Sequence, residues 1–404
     1  MQNVVLFTID TLRRDVFGCY GSESGVTPCL DSLTPKATLF TMAHAIAPFT
    51  QASFPGILTS SYPFDFPKSE KLAAGRILIS EALKANGIMT AAFHSNPFLS
   101  AYFGWNRGWD SFYDSMDDEV DHYSPYIKGD VLNRKVNRWL ENRTSSDADR
   151  PFFLWLHYMD VHEPYVPEDQ YLERVDPSID LSKREMFRLF KDVVLNRDVS
   201  DDGTVALLHR LYRAHVLEVD SYAHEFFGML ATHGVLESST VIVTTDHGEE
   251  FGEHGGLSHD GKFYSELVQV PLLVVNPPEA VAKSCDTLVS GLDIAPTIMA
   301  LFGLQPHDSF QGAPLYPLGS YKQKSCFGEA IGKLSHKVKQ SDRPAFYCRE
   351  GALKVVYREE EDCWELYDLE KDPGEQHNII DQSPEAQSMQ AKLQPRIDRA
   401  ANYG

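Results

Sequence analysis

Two apolar runs, each ending in a carboxylate, constrain this chain more than any other feature. NVVLFTID covers residues 3–10, and VIVTTDH covers residues 241–247. Their Val, Ile and Thr residues favour strands, and an unbroken apolar run suits a strand buried on both faces. Because ligands in open α/β sheets bind beyond the carboxyl ends of strands, Asp10, Asp246 and His247 are predicted to meet there. A capping Asp and a hydrogen-bonded His are the structural alternative.

A hydroxyl-bearing segment lies between these runs. Residues 47–60 read APFTQASFPGILTS, in which Thr50 begins a polar turn before a short apolar stretch suited to the start of a helix. A helix N-terminus favours nearby negative charge, and a hydroxyl aimed by it is a candidate nucleophile. Carboxylates and imidazoles are ligands for divalent cations. The three segments together predict one site that holds a metal ion beside Thr50.

Strand-like and helix-like segments alternate along most of the chain. This alternation is typical of an α/β fold in which helices cover both faces of one sheet, a three-layer αβα sandwich. The predicted strands lie at residues 3–9, 88–93, 151–157, 239–245 and 271–275, and the predicted helices lie near residues 28–34, 78–86, 130–142, 184–195, 204–232 and 292–302.

A Pro- and Gly-bearing stretch at residues 305–320 predicts a domain boundary. Alternating segments follow it and indicate a small antiparallel sheet before a charged, helix-prone tail. We therefore predict a large α/β domain at residues 1–320 and a C-terminal α+β subdomain at residues 321–404. The charged residues 165–203 are either a helical insertion over the site or a solvated excursion from the surface.

Composition and segment lengths limit the cellular compartments in which this protein is predicted to occur. Of the 404 residues, 43% are apolar, so the chain can bury a large core, and no apolar stretch approaches the length of a membrane span. The first predicted strand begins at residue 3, which leaves no room for a signal peptide, and the six scattered cysteines are read as reduced thiols. We therefore predict a cytoplasmic protein without membrane insertion. The sequence leaves homo-oligomer formation open.

The formal net charge of −21 limits the classes of ligand that the protein is predicted to bind. Such a charge repels nucleic-acid backbones, so nucleic acid is not a predicted partner. A small anionic substrate is repelled as well, so its site needs local positive charge. A metal ion, Arg13, Lys262 and the histidines would supply that charge.

Seven segments occur in the order that one large family shows. The chain resembles the sulfatase branch of the alkaline phosphatase superfamily, and the resemblance spans nearly its whole length. It implies an alkaline phosphatase-like catalytic domain over residues 1–320, a C-terminal subdomain over residues 321–404, and a small anionic ester as substrate. The matching segments are NVVLFTIDTLRRD (3–15), GCYG (18–21), APFTQASFPGILTS (47–60), HYMDVHEPY (157–165), TVIVTTDHGEEFGEHG (240–255), YSELVQVPLLV (264–274) and WELYDLEKDPGEQHNI (364–379).

The resemblance implies the metal ligands position by position. Asp10 matches the first Asp of the family's Asp-Asp pair, whose second position is Thr11 here. Asp246 and His247 match the Asp-Asn or Asp-His pair that completes the metal sphere. Thr50 falls at the nucleophile position and is implied as both nucleophile and metal ligand. The implied cofactor is a divalent ion, Ca²⁺, Mn²⁺, Mg²⁺ or Zn²⁺, because carboxylates suit the first three and imidazoles also suit zinc.

The segment around Thr50 departs from the family signature. Secreted and lysosomal sulfatases carry C/S-x-P-S-R, which directs conversion of Cys or Ser to formylglycine, whereas residues 50–54 here read TQASF. Formylglycine chemistry is therefore not predicted. A Thr nucleophile resembles phosphoethanolamine transferases, lipoteichoic acid synthases and nucleotide phosphodiesterases, in which Thr attacks phosphorus. A phosphoester or phosphonate ester is the predicted substrate, and a sulfate ester is the alternative.

Five further side chains are assigned from the resemblance or from their charge. His162, in DVHEPY, and His259, in GLSHDGK, match histidines that contact the anionic group or hold a second metal, and either could donate a proton to the leaving group. Lys262 is a weaker match to the Lys that many sulfatases place nearby. Asn96 stands where arylsulfatases have a Lys-Trp-His region. We therefore predict His162 and His259 as catalytic, and Lys262, Asn96 and Arg13 as substrate-binding.

The sequence leaves open how many metal ions bind and whether the phosphoryl or sulfuryl group passes to water or to another acceptor. A second ion needs Asp160, His162 and His259 to converge, and Asp160 is equally well explained as a loop carboxylate. His254 is assigned at most a supporting position. The predicted function is hydrolysis of a phosphorus or sulfate ester through Thr50. A transferase that passes the group to an acceptor alcohol, and a catalytically silent metal-binding protein, are the alternatives.

Overall fold

A computed structural model describes residues 3–67, 69–143, 150–196, 198–259, 261–279, 284–331 and 343–401. Its strands are β1 (Asn3–Ile9), β2 (Ala37–His44), β3 (Met89–His94), β4 (Ser111–Asp114), β5 (Phe152–Tyr158), β6 (Ser239–Thr244), β7 (Glu250–Phe251), β8 (Leu257–Ser258), β9 (Leu272–Val275), β10 (Cys285–Ser290), β11 (Ser325–Ile331), β12 (Pro344–Glu350), β13 (Leu353–Arg358) and β14 (Cys363–Asp368). Its α-helices are α1 (Pro28–Ser32), α2 (Thr50–Thr59), α3 (Ile79–Ala85), α4 (Gly129–Glu141), α5 (Asp169–Val175), α6 (Lys183–Leu189), α7 (Asp202–Thr232), α8 (Ser265–Val268), α9 (Ile294–Leu301) and α10 (Ala386–Ala400). None of these helices has the length and hydropathy needed to cross a membrane.

One mixed sheet forms the centre of the fold. Its strand order is β10-β2-β9-β6-β1-β5-β3-β4. Neighbouring strands are parallel except where β9 runs opposite to β2 and β6. Because β1, β3, β5 and β6 point the same way, the residues that follow them meet at one edge of the sheet. The predicted three-layer α/β fold is confirmed.

Alternation along β1 explains why helices cover both faces of this sheet. Val5 and Phe7 belong to the apolar core on one face, whereas Val4 and Leu6 belong to the core on the other. All four side chains are fully buried, and burial of such a side chain stabilises a fold by about 1.5–3 kcal/mol. The first core is completed by α1, α4 and α7, and the second by α2, α3 and α9.

The sequence predicted five of the eight strands in the main sheet and missed β2, β4 and β10. β4 is only four residues long, SFYD, and polar residues interrupt the apolar pattern of β2 (ATLFTMAH) and β10 (CDTLVS). The helix predicted at residues 184–195 is shorter in the structure. α6 ends at Leu189, and a π-helical turn, Phe190–Val194, follows it.

A second sheet follows the main one. Strands β11 to β14 pair in chain order as an antiparallel meander, and α10 packs against it. The Glu329 N–H donates to the Ile46 carbonyl oxygen at 2.9 Å, and the Tyr347 hydroxyl donates to the Ala45 carbonyl oxygen at 2.6 Å. These bonds attach the small sheet to the segment that leads into α2. The antiparallel C-terminal sheet is therefore confirmed, whereas the exact boundary at residue 320 stays a prediction.

The charged residues 165–203 contain two short helices, α5 and α6. Leu172 and Met186, one from each helix, are buried in the same core as α7. Glu168 accepts hydrogen bonds from Lys128 at 2.9 Å and from Lys183 at 2.7 Å. The segment is thus helical and packed onto the domain, and its role in substrate choice stays a prediction.

Candidate metal and nucleophile site

Asp10 lies at the centre of a buried polar cluster at the carboxyl edge of the main sheet. It directly follows β1, and its side chain is fully buried. Its Oδ2 accepts a hydrogen bond from Nδ2 of Asn96 at 2.8 Å and lies 3.3 Å from Nε2 of His157. Oγ1 of Thr50 donates to the same oxygen at 3.4 Å. The structure therefore brings Asp10, Thr50 and Asn96 together from three distant segments.

Asp246 and His247 approach Asp10 from the end of β6, and both are fully buried. Nε2 of His247 lies 3.4 Å from Oδ2 of Asp246 and 3.7 Å from Oδ1 of Asp10. Nδ1 of His247 lies 2.9 Å from the Gly248 carbonyl oxygen, a contact that turns Nε2 toward the carboxylates. Gly248 has no room for a side chain, because a Cβ there would lie 1.9 Å from the Glu266 carbonyl oxygen. We call Asp10, Asp246 and His247 the primary cluster.

The primary cluster has the ligand atoms and the unmet polar groups of a cation site. Its three candidate ligand atoms lie within 4.8 Å of one another. Within the described residues, Oδ1 of Asp10, Oδ2 of Asp246 and Nε2 of His247 are buried without a hydrogen-bond partner. Unpaired buried carboxylate oxygens are costly, and a bound cation would remove that cost. The oxygen and nitrogen donors therefore fit a divalent cation.

The two carboxyl groups of the primary cluster differ in their readiness to ionise. Burial, and then the charge of Asp10, raises the pKa of Asp246 above its ordinary value. Burial acts to raise the pKa of Asp10 too, but the hydrogen bond from His157 and the charges of His162 and His247 lower it below the ordinary range. The pair thus resists carrying two negative charges by itself, and a divalent ion would compensate both.

Thr50 is the first residue of α2, and its side chain is buried beside the primary cluster. The N-terminus of a helix is the positive end of its dipole, so N–H groups there favour negative charge on a nearby oxygen. Oγ of Ser53 donates to the Asp246 carbonyl oxygen at 2.6 Å. This bond ties the first turn of α2 to the end of β6, so the Thr50 hydroxyl is held in place by the packed fold.

His162 and His259 lie together beside the primary cluster. Their ring centroids are 4.9 Å apart, and the His259 ring lies 4.6 Å from the His247 ring. Nδ1 of His259 lies 3.1 Å from Oε1 of Glu249, whose Oε2 accepts a hydrogen bond from the Tyr165 hydroxyl at 2.8 Å. A buried carboxylate therefore orients His259, and the two histidines predicted as catalytic are brought together.

A second group of candidate ligands consists of His162, Glu163 and His259, whose ligand atoms lie within 4.8 Å of one another. Asp160 does not belong to this group. Both carboxylate oxygens of Asp160 accept a hydrogen bond from the Gly129 N–H at the start of α4, at 3.0 and 3.1 Å. Burial raises the pKa of Asp160 to about 7. Glu163, which was not singled out from the sequence, lies with the two histidines, whereas Asp160, which the sequence left open as a metal ligand or a loop carboxylate, binds the start of α4.

Lys262 and Arg13, which were predicted to bind substrate, both form ion pairs with carboxylates. Nζ of Lys262 donates to the two carboxylate oxygens of buried Glu250 at 2.8 and 3.0 Å. Arg13 forms ion pairs with Asp15 at 2.6 Å and with Glu253 at 2.5 Å. Both cations are thus engaged by carboxylates that the sequence did not pair with them.

His157 and Glu249 are site residues that sequence reasoning missed. His157 pairs in register with Thr8 of β1, and its Nδ1 lies 2.9 Å from the Thr8 hydroxyl, which leaves Nε2 facing Asp10. It lies within the apolar run FFLWLHY, where a polar residue next to the carboxyl end is the signal that could have found it. Glu249 directly follows the Asp-His-Gly motif, and its complete burial has no sequence signal.

Comparison with known families identifies the chain. Residues 2–304 match the family Sulfatase, and residues 252–402 match the family N-sulphoglucosamine sulphohydrolase, C-terminal. The chain therefore belongs to the sulfatase family of hydrolases.

Several relatives and solved structures are similar along most of their length. The uncharacterized sulfatase YidJ of Escherichia coli is 24% identical, over 94% of this chain and 83% of that protein. Arylsulfatase A of Homo sapiens is 24% identical, over 100% of this chain and 89% of that protein. A phosphonate monoester hydrolase of Agrobacterium radiobacter has a TM-score of 0.78 at 20% identity, covering 100% and 96% of the two chains. A protein solved with its substrate D-glucosamine-2-N,6-O-disulfate has a TM-score of 0.79 at 20% identity, covering 100% and 98%. These structures share the fold.

Proposed function

We propose that this sulfatase-family chain is a metal-dependent hydrolase that cleaves a phosphoester, a phosphonate ester or a sulfate ester through Thr50. One observation carries the proposal. The Thr50 hydroxyl lies in the first turn of α2, 3.4 Å from Asp10, beside three buried ligand atoms without hydrogen-bond partners in the described structure. A nucleophile, a cation site and a helix N-terminus together suit covalent catalysis at an anionic ester.

Asp10, Asp246 and His247 would hold the divalent cation, with the Thr50 oxygen as a further ligand. The bound cation would supply concentrated positive charge, which lowers the pKa of a neighbouring hydroxyl and neutralises charge on a phosphoryl or sulfuryl group. The mixed oxygen and nitrogen donors suit Ca²⁺, Mg²⁺, Mn²⁺ and Zn²⁺, so metal identity has to be measured.

The side chains of the protein account for the steps of the reaction. Oγ1 of Thr50, which is oriented by its hydrogen bond to Asp10, attacks phosphorus or sulfur in line with the leaving oxygen, and its proton passes to solvent. Nδ2 of Asn96, 3.5 Å from Oγ1, orients the nucleophile. His162 and His259 bind the anionic group or donate a proton to the leaving oxygen. Water then breaks the new bond between Thr50 and phosphorus or sulfur, which restores the hydroxyl and releases the acid.

Phosphorus esters are the first candidate substrates, and sulfate esters are the second. A sulfate ester of Thr lacks the hemiacetal collapse available to formylglycine, so turnover through Thr50 is easier at phosphorus. The names of similar proteins include a phosphonate monoester hydrolase and several sulfatases, so both classes belong in the test. Lys262 and Arg13 are left out of the proposed substrate site because carboxylates engage both.

Initial rates on matched p-nitrophenyl sulfate, phosphate, phosphodiester and phosphonate esters test the proposal. Each ester is offered with Mn²⁺, Zn²⁺, Mg²⁺ or Ca²⁺ restored after chelation. Faster cleavage of a phosphorus ester supports the first candidate, and faster cleavage of the sulfate ester replaces it with the second. Bound metal without turnover of any ester would contradict hydrolysis and favour a catalytically silent protein.

A second cation, held by His162, Glu163 and His259, is part of the proposal because their ligand atoms converge within 4.8 Å. The metal content per chain tests it, with two ions expected in the wild type and one in His259→Ala. One ion in both proteins would reject the second site. Cytoplasmic location and homo-oligomer formation stay predictions from the sequence.

A further inference from the structure

The turn that follows Asp10 has an unusual backbone conformation. Thr11, the next residue, has a φ of 53°, which lies in the left-handed region that glycine favours. Threonine is branched at Cβ and rarely adopts this conformation, so contacts with the surrounding structure must hold it there. The Thr11 side chain is fully buried. The contacts that hold Thr11 therefore also hold the backbone beside a proposed cation ligand.

One hydroxyl group bridges this turn. The Tyr212 hydroxyl donates to the Thr11 carbonyl oxygen at 2.9 Å and accepts a hydrogen bond from the Arg13 N–H at 2.8 Å. Tyr212 lies on α7 and is fully buried. Because both of its partners are backbone groups, this hydroxyl fixes the path of the chain immediately after Thr11.

The Tyr212 ring is itself held by packing. It meets the Tyr165 ring edge to face, with centroids 5.8 Å apart, and its centroid lies 5.0 Å from that of the Phe251 ring. Both neighbouring rings are buried. Close-packed aromatic side chains keep one arrangement, so the Tyr212 hydroxyl is already in place for its two hydrogen bonds.

Further hydrogen bonds tie the same turn to two other strand ends. The Asp10 N–H donates to the Tyr158 carbonyl oxygen at 2.8 Å, at the end of β5. The Leu12 N–H donates to Oγ1 of Thr245 at 3.2 Å, and that hydroxyl donates to the His247 carbonyl oxygen at 2.8 Å. With the backbone fixed on both sides, a change of φ at the residue between Asp10 and Leu12 would shift the Asp10 carboxylate.

We propose that Tyr212 is a positioning residue of the primary cluster. It holds Thr11 in the left-handed conformation and thereby keeps the Asp10 carboxylate where a divalent cation needs it. This inference rests on the proposed function, because the cation site is part of it. Partners behind the ligands of a metal site commonly contribute to affinity by fixing the direction of each ligand. Tyr212 would act in this way through the backbone.

Equilibrium binding of cations to the chelated protein tests the inference. The protein is titrated calorimetrically with Mn²⁺, Zn²⁺, Mg²⁺ and Ca²⁺, each alone, and binding that Asp246→Asn abolishes is assigned to the primary cluster. Tyr212→Phe removes the hydroxyl and keeps the ring. We expect it to raise the Kd of the tightest-bound of the four ions by about 10-fold.

Tyr20→Phe is the matched control for the lost hydroxyl. The Tyr20 hydroxyl also bridges backbone groups, because it accepts a hydrogen bond from the Leu272 N–H at 2.9 Å and donates to the Phe40 carbonyl oxygen at 3.0 Å. It does not bond to the turn after Asp10. The Kd of Tyr20→Phe is therefore expected to equal that of the wild type.

A second background separates positioning from a merely structural role. Thr11→Gly removes the strain, because glycine adopts the left-handed conformation readily. The turn then needs less support, so adding Tyr212→Phe should raise the Kd by only about 2-fold. A loss of packing would instead weaken binding by the same factor in both backgrounds. Thermal unfolding of each variant without cation checks that it is folded.

The outcomes distinguish this inference from the proposed function. A wild-type Kd in Tyr212→Phe would overturn the inference and leave the cation site in place. The same increase in Kd with and without Thr11→Gly would overturn it as well. A wild type that binds none of the four ions counts against the proposed function, and the inference falls with it.

Discussion

Two clusters of acidic residues and histidine in this chain differ in how their buried groups are compensated. One is the primary cluster. The other, which we call the loop cluster, consists of Glu250, His254 and Glu266, and its ligand atoms also lie within 4.8 Å of one another. In the loop cluster Glu250 accepts two hydrogen bonds from Lys262, and Nδ1 of His254 lies 2.6 Å from Glu266. In the primary cluster one atom of each residue is buried without a partner in the described structure.

The comparison shows that residue types and spacing identify candidate metal sites, whereas the pairing of polar atoms distinguishes among them. A cation in the loop cluster would have to displace the ammonium group of Lys262. A cation in the primary cluster would displace no such group and would compensate two carboxylates. His254 also stacks on Tyr264, with ring centroids 3.5 Å apart, so it supports the loop structurally.

The largest expected effect is on turnover at the primary cluster. Thr50→Ala removes the proposed nucleophile, and we expect kcat to fall by at least about 10⁴-fold. Thr50→Ser keeps a hydroxyl at the helix N-terminus and is expected to retain far more activity. Steady-state rates on the preferred ester measure both variants. Full turnover by Thr50→Ala would remove this residue from the mechanism.

The next effect is on stability at the loop cluster. Lys262→Met removes the ammonium group and leaves the buried Glu250 carboxylate only the N–H groups of His254 and Gly256, and we expect the free energy of unfolding to fall by about 3 kcal/mol. Lys36→Met is the matched control, because Lys36 and Glu237 form an exposed ion pair at 3.1 Å that should contribute little. Urea denaturation measures both. Equal stability of Lys262→Met and wild type would mean that this pair does not hold the loop.

Cation binding should distinguish the two clusters directly. After chelation, a free divalent cation at 100 times its Kd is expected to raise the free energy of unfolding by about 2.7 kcal/mol. We expect Asp246→Asn, in the primary cluster, to lose this response, and Glu266→Gln, in the loop cluster, to keep it. Thermal unfolding with and without the cation is the measurement. The reverse pattern would assign the cation to the loop cluster.

The smallest expected effect is a pH dependence of stability in the loop cluster. Burial acts to lower the pKa of His254, but the hydrogen bond and charge of Glu266 outweigh it, so the pKa is raised. A raised histidine pKa stabilises the fold below about pH 6.5, and this contribution is lost as the pH rises through the folded-state pKa. The difference in free energy of unfolding between wild type and His254→Gln should therefore shrink between about pH 6 and about pH 9. A difference that grows with pH would contradict the assignment.

Local features of the sequence predicted the strand-end residues of the site. Asp10 and Asp246 each follow an apolar run closely, and the α/β pattern implies that such strand ends meet. The structure brings Thr50, the first residue of α2, to within 3.4 Å of Asp10. Strands β2, β4 and β10 were missed because each is short or interrupted by polar residues, and their pairing depends on neighbours far away in the chain.

Features that depend on tertiary partners could not be predicted. The sequence shows that Lys262 is positively charged but not which carboxylate it contacts. Its contact with Glu250 forms only because β7 and β8 pair and the segment around them folds back on itself. Its role in substrate binding stays a prediction from charge and family position. His157 was hidden within an apolar run, and its contact with Asp10 depends on β5 lying beside β1.

The central claim is that Thr50, beside the primary cluster, is the residue that takes up the transferred group. The most direct test is mass spectrometry of peptides from enzyme that is acid-quenched during turnover of its preferred ester. We expect a phosphoryl, phosphonyl or sulfuryl adduct on the peptide that contains Thr50, and no adduct in Thr50→Ala. An adduct on another residue, or an active Thr50→Ala enzyme, would contradict the claim.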